Sequence, residues 1–356
     1  MPSDSIPSRH PLDVIAAAPP AIPEATAIAL VRDRWDLRVE IKPLVSERDQ
    51  NFRLTAADGR RYVLKIANAT EDPQVTDFQI QALLYVEARA DRNLAVPRIL
   101  RTPAGDTAVT VAVDGVSHRA RIVSFVDGRP LGTTPPGGRL CREMGGFLAR
   151  LGLALDGFEH PGAGQSLLWD MKQALCLRDI TGHIPDEALR MLVETTLDEF
   201  ERQALPRFGA LRWQVIHNDM NPDNVLVRED DGLHVAGMID FGDMVRSPLV
   251  VDIAVAGAYL RAPDGDPLRF IGAFLGGYRE VRRLEDEELV VLHTLVKTRL
   301  ATTVTILHWR AAARHGEDAY LAAASTAESG AADFLRRLAD IPAAAAAAHY
   351  RVAGGS

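Results

Sequence analysis

Residues 215–243, VIHNDMNPDNVLVREDDGLHVAGMIDFGD, decide how the rest of the chain is read. Two groupings sit inside this stretch. His217, Asp219 and Asn224 fit the pattern H-x-D-x-x-x-x-N, and Asp240-Phe241-Gly242 follows. Between them Asn224 to Val227 reads as a short apolar strand, Glu229 to Gly232 as a turn built on Asp-Gly, and Leu233 to Ile239 as the returning strand. Asn224 and Asp240 each lie eight positions from Gly232. An antiparallel hairpin therefore sets them side by side at its open end, with Asp219 on the loop that feeds it. One amide and two carboxylates converge on one small volume. Oxygen donors of this kind suit Mg²⁺, which keeps some waters and completes its shell from substrate phosphates. The competing reading makes Asp219, Asp223 and Asp240 turn and cap residues of an ordinary hairpin.

Composition narrows the classes. The chain has 356 residues, 47% hydrophobic and 25% charged, enough for two modest domains or one large one with a full core. Cys141 and Cys176 stand 35 positions apart in no metal-ligand pattern, so they read as thiols in a reducing compartment. A net charge of −8 argues against a nucleic-acid binder. No apolar run reaches the length of a membrane span, and the N-terminus lacks a secretory signal. A cytoplasmic enzyme is the expectation.

Outward from the hairpin, periodicity divides the chain. Residues 1–22, rich in Pro, Ser and Ala, read as a mobile arm. A helix opens at Pro23-Glu24. Strands follow at Val39 to Leu44, Phe52 to Thr55 and Tyr62 to Ile66, then a helix over Asp77 to Ala90, then a strand pair, Val109 to Val113 and His118 to Phe125, around Asp114-Gly115. The turn-rich run from Asp127 to Gly132 marks a boundary, which gives an N-lobe over 23–126 and a C-lobe over 127–342. The C-lobe is mostly helical, with apolar stripes at Leu140 to Leu155, Leu189 to Phe200, Val250 to Leu260, Leu268 to Val281, Asp286 to His315 and Ala319 to Leu338. Residues 343–356, with the run Ala343 to Ala348, read as a low-complexity tail.

Lys65 sits in the run Tyr62-Val63-Leu64-Lys65-Ile66, where alternation points it away from Leu64. It is either a solvated strand lysine or a lysine that reaches phosphates. With Lys65, His217-Asn218-Asp219, Asn224 and Ile239-Asp240-Phe241-Gly242 in this order, the chain resembles the aminoglycoside phosphotransferase and choline kinase superfamily of small-molecule kinases over about residues 25–340. The strings Ser46 to Phe52, Tyr62 to Asn68 and Asp77-Phe78-Gln79 look most like hydroxylysine kinases and like kinase modules fused to class III aminotransferases.

The resemblance implies an α+β, protein-kinase-like bilobal fold: an N-terminal lobe of antiparallel sheet with one main helix, and a larger helical lobe. It implies Asp219 as the catalytic carboxylate, Asn224 and Asp240 as Mg²⁺ ligands, and Lys65 on the nucleotide phosphates. The loop from Ser46 to Asn51 would lie over those phosphates, and Ser124 to Val126 would bond the base. The donor is ATP or GTP. The acceptor is a small hydroxylated, amine-bearing molecule, with hydroxylysine favoured over aminoglycoside, homoserine, choline or ethanolamine. An aminotransferase partner or fusion belongs to the same resemblance, and a non-catalytic nucleotide-binding regulator is its rival from another class. Two departures stand out. Residues 45–52 contain no glycine, so Ser46 and Asn51 side chains are expected to contribute there. The place of the helical Glu that pairs with the lysine falls on Gln79, which leaves Gln79, Asp77 or Glu87 as partner of Lys65. His217 reads as a loop histidine packed beside Phe241, Asp252 as a brace for the loop, Asp223 and Asp243 as acids beside the site, and Arg299, Tyr259 and Trp309 as acceptor-pocket walls or core.

Overall fold

Alternation dictates the first sheet. The computed structural model describes residues 19–46, 48–90, 94–132, 136–313 and 319–353, and leaves the side chains of 313–328 undescribed. Helix α1 (Glu24–Trp35) leads into β1 (Val39–Leu44), β2 (Gln50–Ala56) and β3 (Arg61–Ile66), an antiparallel meander. In β3 Tyr62, Leu64 and Ile66 are buried while Val63 and Lys65 face the other way, the period of two that a half-buried strand requires. Most of the expected N-terminal arm lies outside the described residues. Its last residue, Ile22, is buried and fixed by two bonds to the Gln50 side chain, N–H to Oε1 at 2.8 Å and carbonyl to Nε2 at 2.9 Å.

Helix α2 (Pro73–Arg89) starts four residues earlier than its apolar stripe suggests. Asp72 caps it by accepting the Gln74 N–H at 2.9 Å, and Pro73 occupies the first turn. The sheet then closes with β4 (Ile99–Leu100), β5 (Val109–Val113) and β6 (Val116–Ser124), in the order β1-β2-β3-β6-β4 with β5 on the remaining part of β6. Asp114 (φ 51°) and Gly115 (φ 78°) turn the β5–β6 hairpin, both in the left-handed region that an Asp-Gly pair tolerates.

The C-lobe begins with β7 (Arg129–Pro130) and α3 (Gly138–Ala154). A 3₁₀ stretch over Met171–His183 and helix α4 (Glu187–Glu199), which runs into a π turn over Phe200–Ala204, come next. Four short strands carry the central motifs: β8 (Trp213–Ile216), β9 (Val225–Val227), β10 (Val235–Met238) and β11 (Val245–Pro248). Helices α5 (Leu249–Gly257), α6 (Arg269–Val281), α7 (Asp286–Ala313), α8 (Ala319–Ala339) and α9 (Ala343–Val352) complete the lobe.

The expected low-complexity tail is therefore corrected over 343–352. Alanine is the strongest helix former, and Tyr350, fully buried, gives α9 an apolar anchor. Helices α3 and α6 approach closely through glycine. A Cβ on Gly145 would sit 1.9 Å from the Phe274 carbonyl oxygen, and one on Gly277 would sit 1.8 Å from that of Arg142.

Among the described residues α7 is long and apolar enough to cross a membrane, but 94% of its apolar window is buried inside the protein. Its threonines hide their hydroxyls locally. Thr298, Thr302 and Thr305 each donate at 2.8 Å to the carbonyl four residues back, and Thr303 does so to Arg299 at 3.0 Å.

Two apolar cores result. One joins α1 to the inner face of the sheet around Trp35, Phe52, Leu54, Leu64 and Ile122. The other fills the C-lobe and also takes in Phe78, Leu83 and Val86 of α2.

Candidate active site

The antiparallel pairings of β8–β11 and β9–β10 bring two loops together. Val245 lies opposite Ile216, and Val225 opposite Met238. The loop leaving β8 (217–224) and the loop entering β11 (239–244) therefore meet at one edge. Asn224 accepts the Ile239 N–H at 2.9 Å, so it sits opposite Ile239 rather than Asp240; a bulge between Val235 and Gly237 moves the hairpin off the symmetric register. The loop is braced from below. Asp252 of α5 accepts the backbone N–H groups of Asn218 (2.8 Å) and His217 (3.2 Å). His217 packs edge-on against Phe241 with ring centroids 4.7 Å apart, and burial pushes its pKa down to about 4. It is a neutral structural histidine. Asn218 (φ 64°) and Asp240 (φ 60°) both hold left-handed backbone conformations, which Asn and Asp bear best among residues other than Gly.

Asp219 is half-buried and held on both carboxylate oxygens. Asn221 Nδ2 donates to Oδ1 at 3.0 Å, Asn224 Nδ2 to Oδ2 at 2.7 Å, and Arg299 Nη2 lies 3.4 Å from Oδ1. Burial raises the Asp219 pKa to about 7, and the charges of Asp243 and Asp240 add to the rise while Arg299 and the Asn221 bond oppose it. Asp240 moves the opposite way. The Lys65 ammonium, 3.1 Å from its Oδ1, holds it well below the usual carboxylate range. Two neighbouring carboxyls thus differ in their hold on a proton, the pattern expected where one acts as base and the other stays a fixed charge.

Lys65 reaches this site from β3, across the cleft. None of its three expected partners touches it. Gln79 receives a hydrogen bond from Arg121, Asp77 bonds His160 at 3.1 Å, and Glu87 pairs with Arg98 at 3.7 Å. Lys65 instead lies between Asp240 and Asp49, whose Oδ2 is 3.9 Å away. Arg121, opposite Lys65 on β6 and 3% exposed, pairs with the same Asp49 oxygen at 3.8 Å. Two cations across one strand pair share one acid on the β1–β2 loop, and the amide of Gln79 suits an arginine.

A cleft gathers Lys65, Asp219, Asp240 and Ser46 with Arg48, Asp49, Glu71, Gln79, Gly242 and Asp243. Asn51 lies elsewhere. Strand β2 begins at Gln50, so Asn51 belongs to the sheet opposite Lys65, and its buried Oδ1 has no hydrogen-bond partner among the described residues. The loop over the cleft is correspondingly short, and its Arg48 crosses to bond Asp243. Asp243 is therefore an ion-pair partner, while Asp223 is exposed. Ser124 and Val126 lie where β6 leaves the sheet. The N–H of Ser124 is spent on the Arg98 carbonyl (2.8 Å) and that of Phe125 on the Arg61 carbonyl (3.1 Å), while that of Val126 makes no hydrogen bond among the described residues. Glu71, Arg121 and Gln165, whose Nε2 donates to the Met244 carbonyl at 2.7 Å, were missed by sequence reasoning, and Arg48 and Asp49 were read only as part of the Ser46 to Asn51 loop. Only long-range pairing brings them together.

The donor set fits a hard cation that brings most of its own shell. Among the described residues no three His, Cys, Asp or Glu side chains form a metal cage. Asp240 is firmly ionised, and Asn224 spends its amide N–H on Asp219, which leaves its side-chain oxygen for another partner.

Residues 40–288 match the model of the phosphotransferase enzyme family APH. The chain belongs to this family. Hydroxylysine kinase of Mus musculus is 28% identical over 315 residues, covering 82% of this chain and 83% of that protein. Homoserine kinase of Rhizobium etli is 32% identical over 214 residues, covering 58% of this chain and 61% of that protein. Among solved structures, a microcompartment-associated aminopropanol kinase superposes with a TM-score of 0.69 at 18% identity, covering 88% of this chain and 96% of that one. An amicoumacin kinase in complex with AMP-PNP and Ca²⁺ superposes with a TM-score of 0.66 at 17% identity, covering 90% and 95%. These structures share the protein-kinase-like bilobal α+β fold expected from the sequence. This APH-family member is a small-molecule kinase, a phosphotransferase that acts on a hydroxyl group.

Proposed function

We infer that this kinase moves the γ-phosphoryl group of ATP or GTP to the hydroxyl of a small amino acid or amino alcohol, with a hydroxylysine-like acceptor first. The similarity to hydroxylysine kinase across four-fifths of both chains supports that acceptor. Homoserine is the second candidate, on the shorter match to homoserine kinase. The observation that carries the mechanism is geometric: Asp219 is held on both oxygens by Asn221 and Asn224, and Lys65 stands 3.1 Å from Asp240 in the same cleft.

In this reading Asp219 accepts the proton of the acceptor hydroxyl as that oxygen bonds to the γ-phosphorus. The bond from that phosphorus to the bridging oxygen breaks, and the nucleoside diphosphate leaves. A pKa near neutrality suits a base that takes a proton only as the new bond forms. Asn221 and Asn224 fix both carboxylate oxygens of Asp219 and so aim the base. Lys65 turns from Asp240 to the phosphates, and Arg121 holds Asp49 beside it. Ser46 and Arg48, on the loop above, close over them. Val126 offers the free hinge N–H to the base. Asn224 and Asp240 are the residues that would hold Mg²⁺, which supplies charge neutralisation on the phosphates. Residues 23–126 then carry the nucleotide and 127–342 the acceptor. The two free thiols, Cys141 and Cys176, support a reducing, cytoplasmic setting.

The test is a phosphate-transfer assay. ATP and GTP with Mg²⁺ are set against hydroxylysine, homoserine, ethanolamine, choline and kanamycin. Turnover that depends on an amino-acid acceptor and disappears in Asp219→Asn supports the reading. Turnover that survives in Asp219→Asn removes Asp219 as the base.

A further inference from the structure

Arg299 of α7 is a neighbour of Asp219 that the transfer chemistry leaves without a task. It is 2% exposed. Its Nη1 donates to the Trp169 carbonyl at 3.0 Å, its Nη2 stands 3.4 Å from Asp219, and the Tyr259 hydroxyl is within its reach. Its guanidinium rests on the Trp169 ring, 4.8 Å from the centroid. Three helical turns further along α7, Arg310 lies 5.7 Å from the same ring and is 3% exposed. Two guanidinium groups that cannot shed their charge therefore meet one indole beside the catalytic carboxylate.

The arrangement is rich in positive donors. A guanidinium offers five N–H groups, and the Nε of Arg299 makes no hydrogen bond among the described residues. The 3.4 Å contact to Asp219 is long for a charge-assisted bond, and both Asp219 oxygens are already engaged by Asn221 and Asn224. The unpartnered Nε leaves this guanidinium one donor for a further acceptor. Asp219 lines the cleft, and Trp169 and Tyr259 beside Arg299 are partly exposed.

We propose that Arg299 binds a carboxylate on the acceptor, so that the enzyme selects hydroxylated amino acids over the corresponding amines that lack the carboxylate. This rests on the reading of Asp219 as the base that receives the hydroxyl. A hydroxyl on Asp219 Oδ1 and a carboxylate on Arg299 Nη2 then lie within about 9 Å of each other, each at ordinary hydrogen-bond distance from its side chain. That span fits one small amino acid with its hydroxyl on the γ or δ carbon. The partly exposed faces of Trp169 and Tyr259 cover its aliphatic part. A polycationic acceptor such as an aminoglycoside sets like charge against Arg299, whereas a zwitterion sets its carboxylate there.

The experiment compares acceptors in pairs: hydroxylysine with its decarboxylated diamine, and homoserine with aminopropanol, which is homoserine without its carboxylate. Wild-type enzyme is expected to lose about 10²-fold or more in kcat/KM when the carboxylate is removed, the scale set by leaving one buried charged donor unpaired. Arg299→Gln is expected to bring the ratio within each pair close to one, and Arg299→Lys to keep part of it. If Arg299 only orients Asp219, both members of a pair fall equally and the ratio survives, which overturns the proposal. Equal use of both members by wild-type enzyme overturns it too, and leaves the kinase reading standing. Failure to phosphorylate any amino acid or amine, with nucleotide bound, removes the amino-acid reading and the proposal together. The wild-type pairs decide the matter even if Arg299→Gln does not fold.

Discussion

His293 makes the stability of this protein depend on pH in a calculable way. It is fully buried on α7, with its Nε2 3.3 Å from the Leu338 carbonyl and its Nδ1 3.5 Å from the Tyr350 hydroxyl. Burial, and then the charge of Lys297, lowers its pKa from 6.5 to about 4. The unfolded chain therefore takes up a proton between pH 6.5 and 4 that the folded chain refuses. Stability from this group is complete above pH 6.5 and is lost as pH falls toward 4. The whole shift corresponds to about 3 kcal/mol, of which about 2 kcal/mol is gone by pH 5. The assay is urea unfolding of wild type and His293→Gln at pH 7.5 and 5.0. His217, with a similar shift, titrates in both proteins and cancels. The variant should lose about 2 kcal/mol less than wild type on acidification. An equal loss in the two proteins refutes the reasoning and means that His293 is protonated in the fold.

Asp219→Asn should lower kcat by about 10²–10⁴ with Mg-nucleotide affinity unchanged, read by steady-state kinetics and titration of a fluorescent nucleotide. Asp240→Ala should abolish the Mg²⁺-dependent part of nucleotide binding, and an unaltered titration would remove it as a ligand. Arg121→Gln should raise the nucleotide KM about tenfold and leave the acceptor KM in place, because Asp49 is then left without its buried partner. Gly145→Ala should cost at least about 2 kcal/mol in thermal unfolding, since its Cβ meets backbone at 1.9 Å.

The parts of the site that the sequence displays are local. Asp219, Asn224 and Asp240 share one hairpin, and Asp-Gly at 231–232 places the turn between them. The alternation in β3 turned Lys65 to the correct face, and the stripes of α3 to α8 carried their helices. The partner of Lys65 was illegible. Arg121 reaches it only through the pairing of β3 with β6, and Asp49 only through the chain's return from β1 to β2. Asn51 was assigned to the loop because polar residues before Phe52 look like a turn, whereas cross-strand pairing with Lys65 and Leu44 draws it into the sheet. The closing helix was hidden by its own composition. An alanine run has no apolar period, and its packing rests on Tyr350 beyond the run.

The division of the core has a consequence for control. Phe78, Leu83 and Val86 of α2 belong to the apolar mass of the C-lobe, and Phe78 packs with Phe158 and His160 in a cluster of three rings. Kinases that are switched by swinging this helix need it loosely held. Here an outward swing would expose three buried side chains at about 1.5–3 kcal/mol each. The enzyme is built without an off position in that helix.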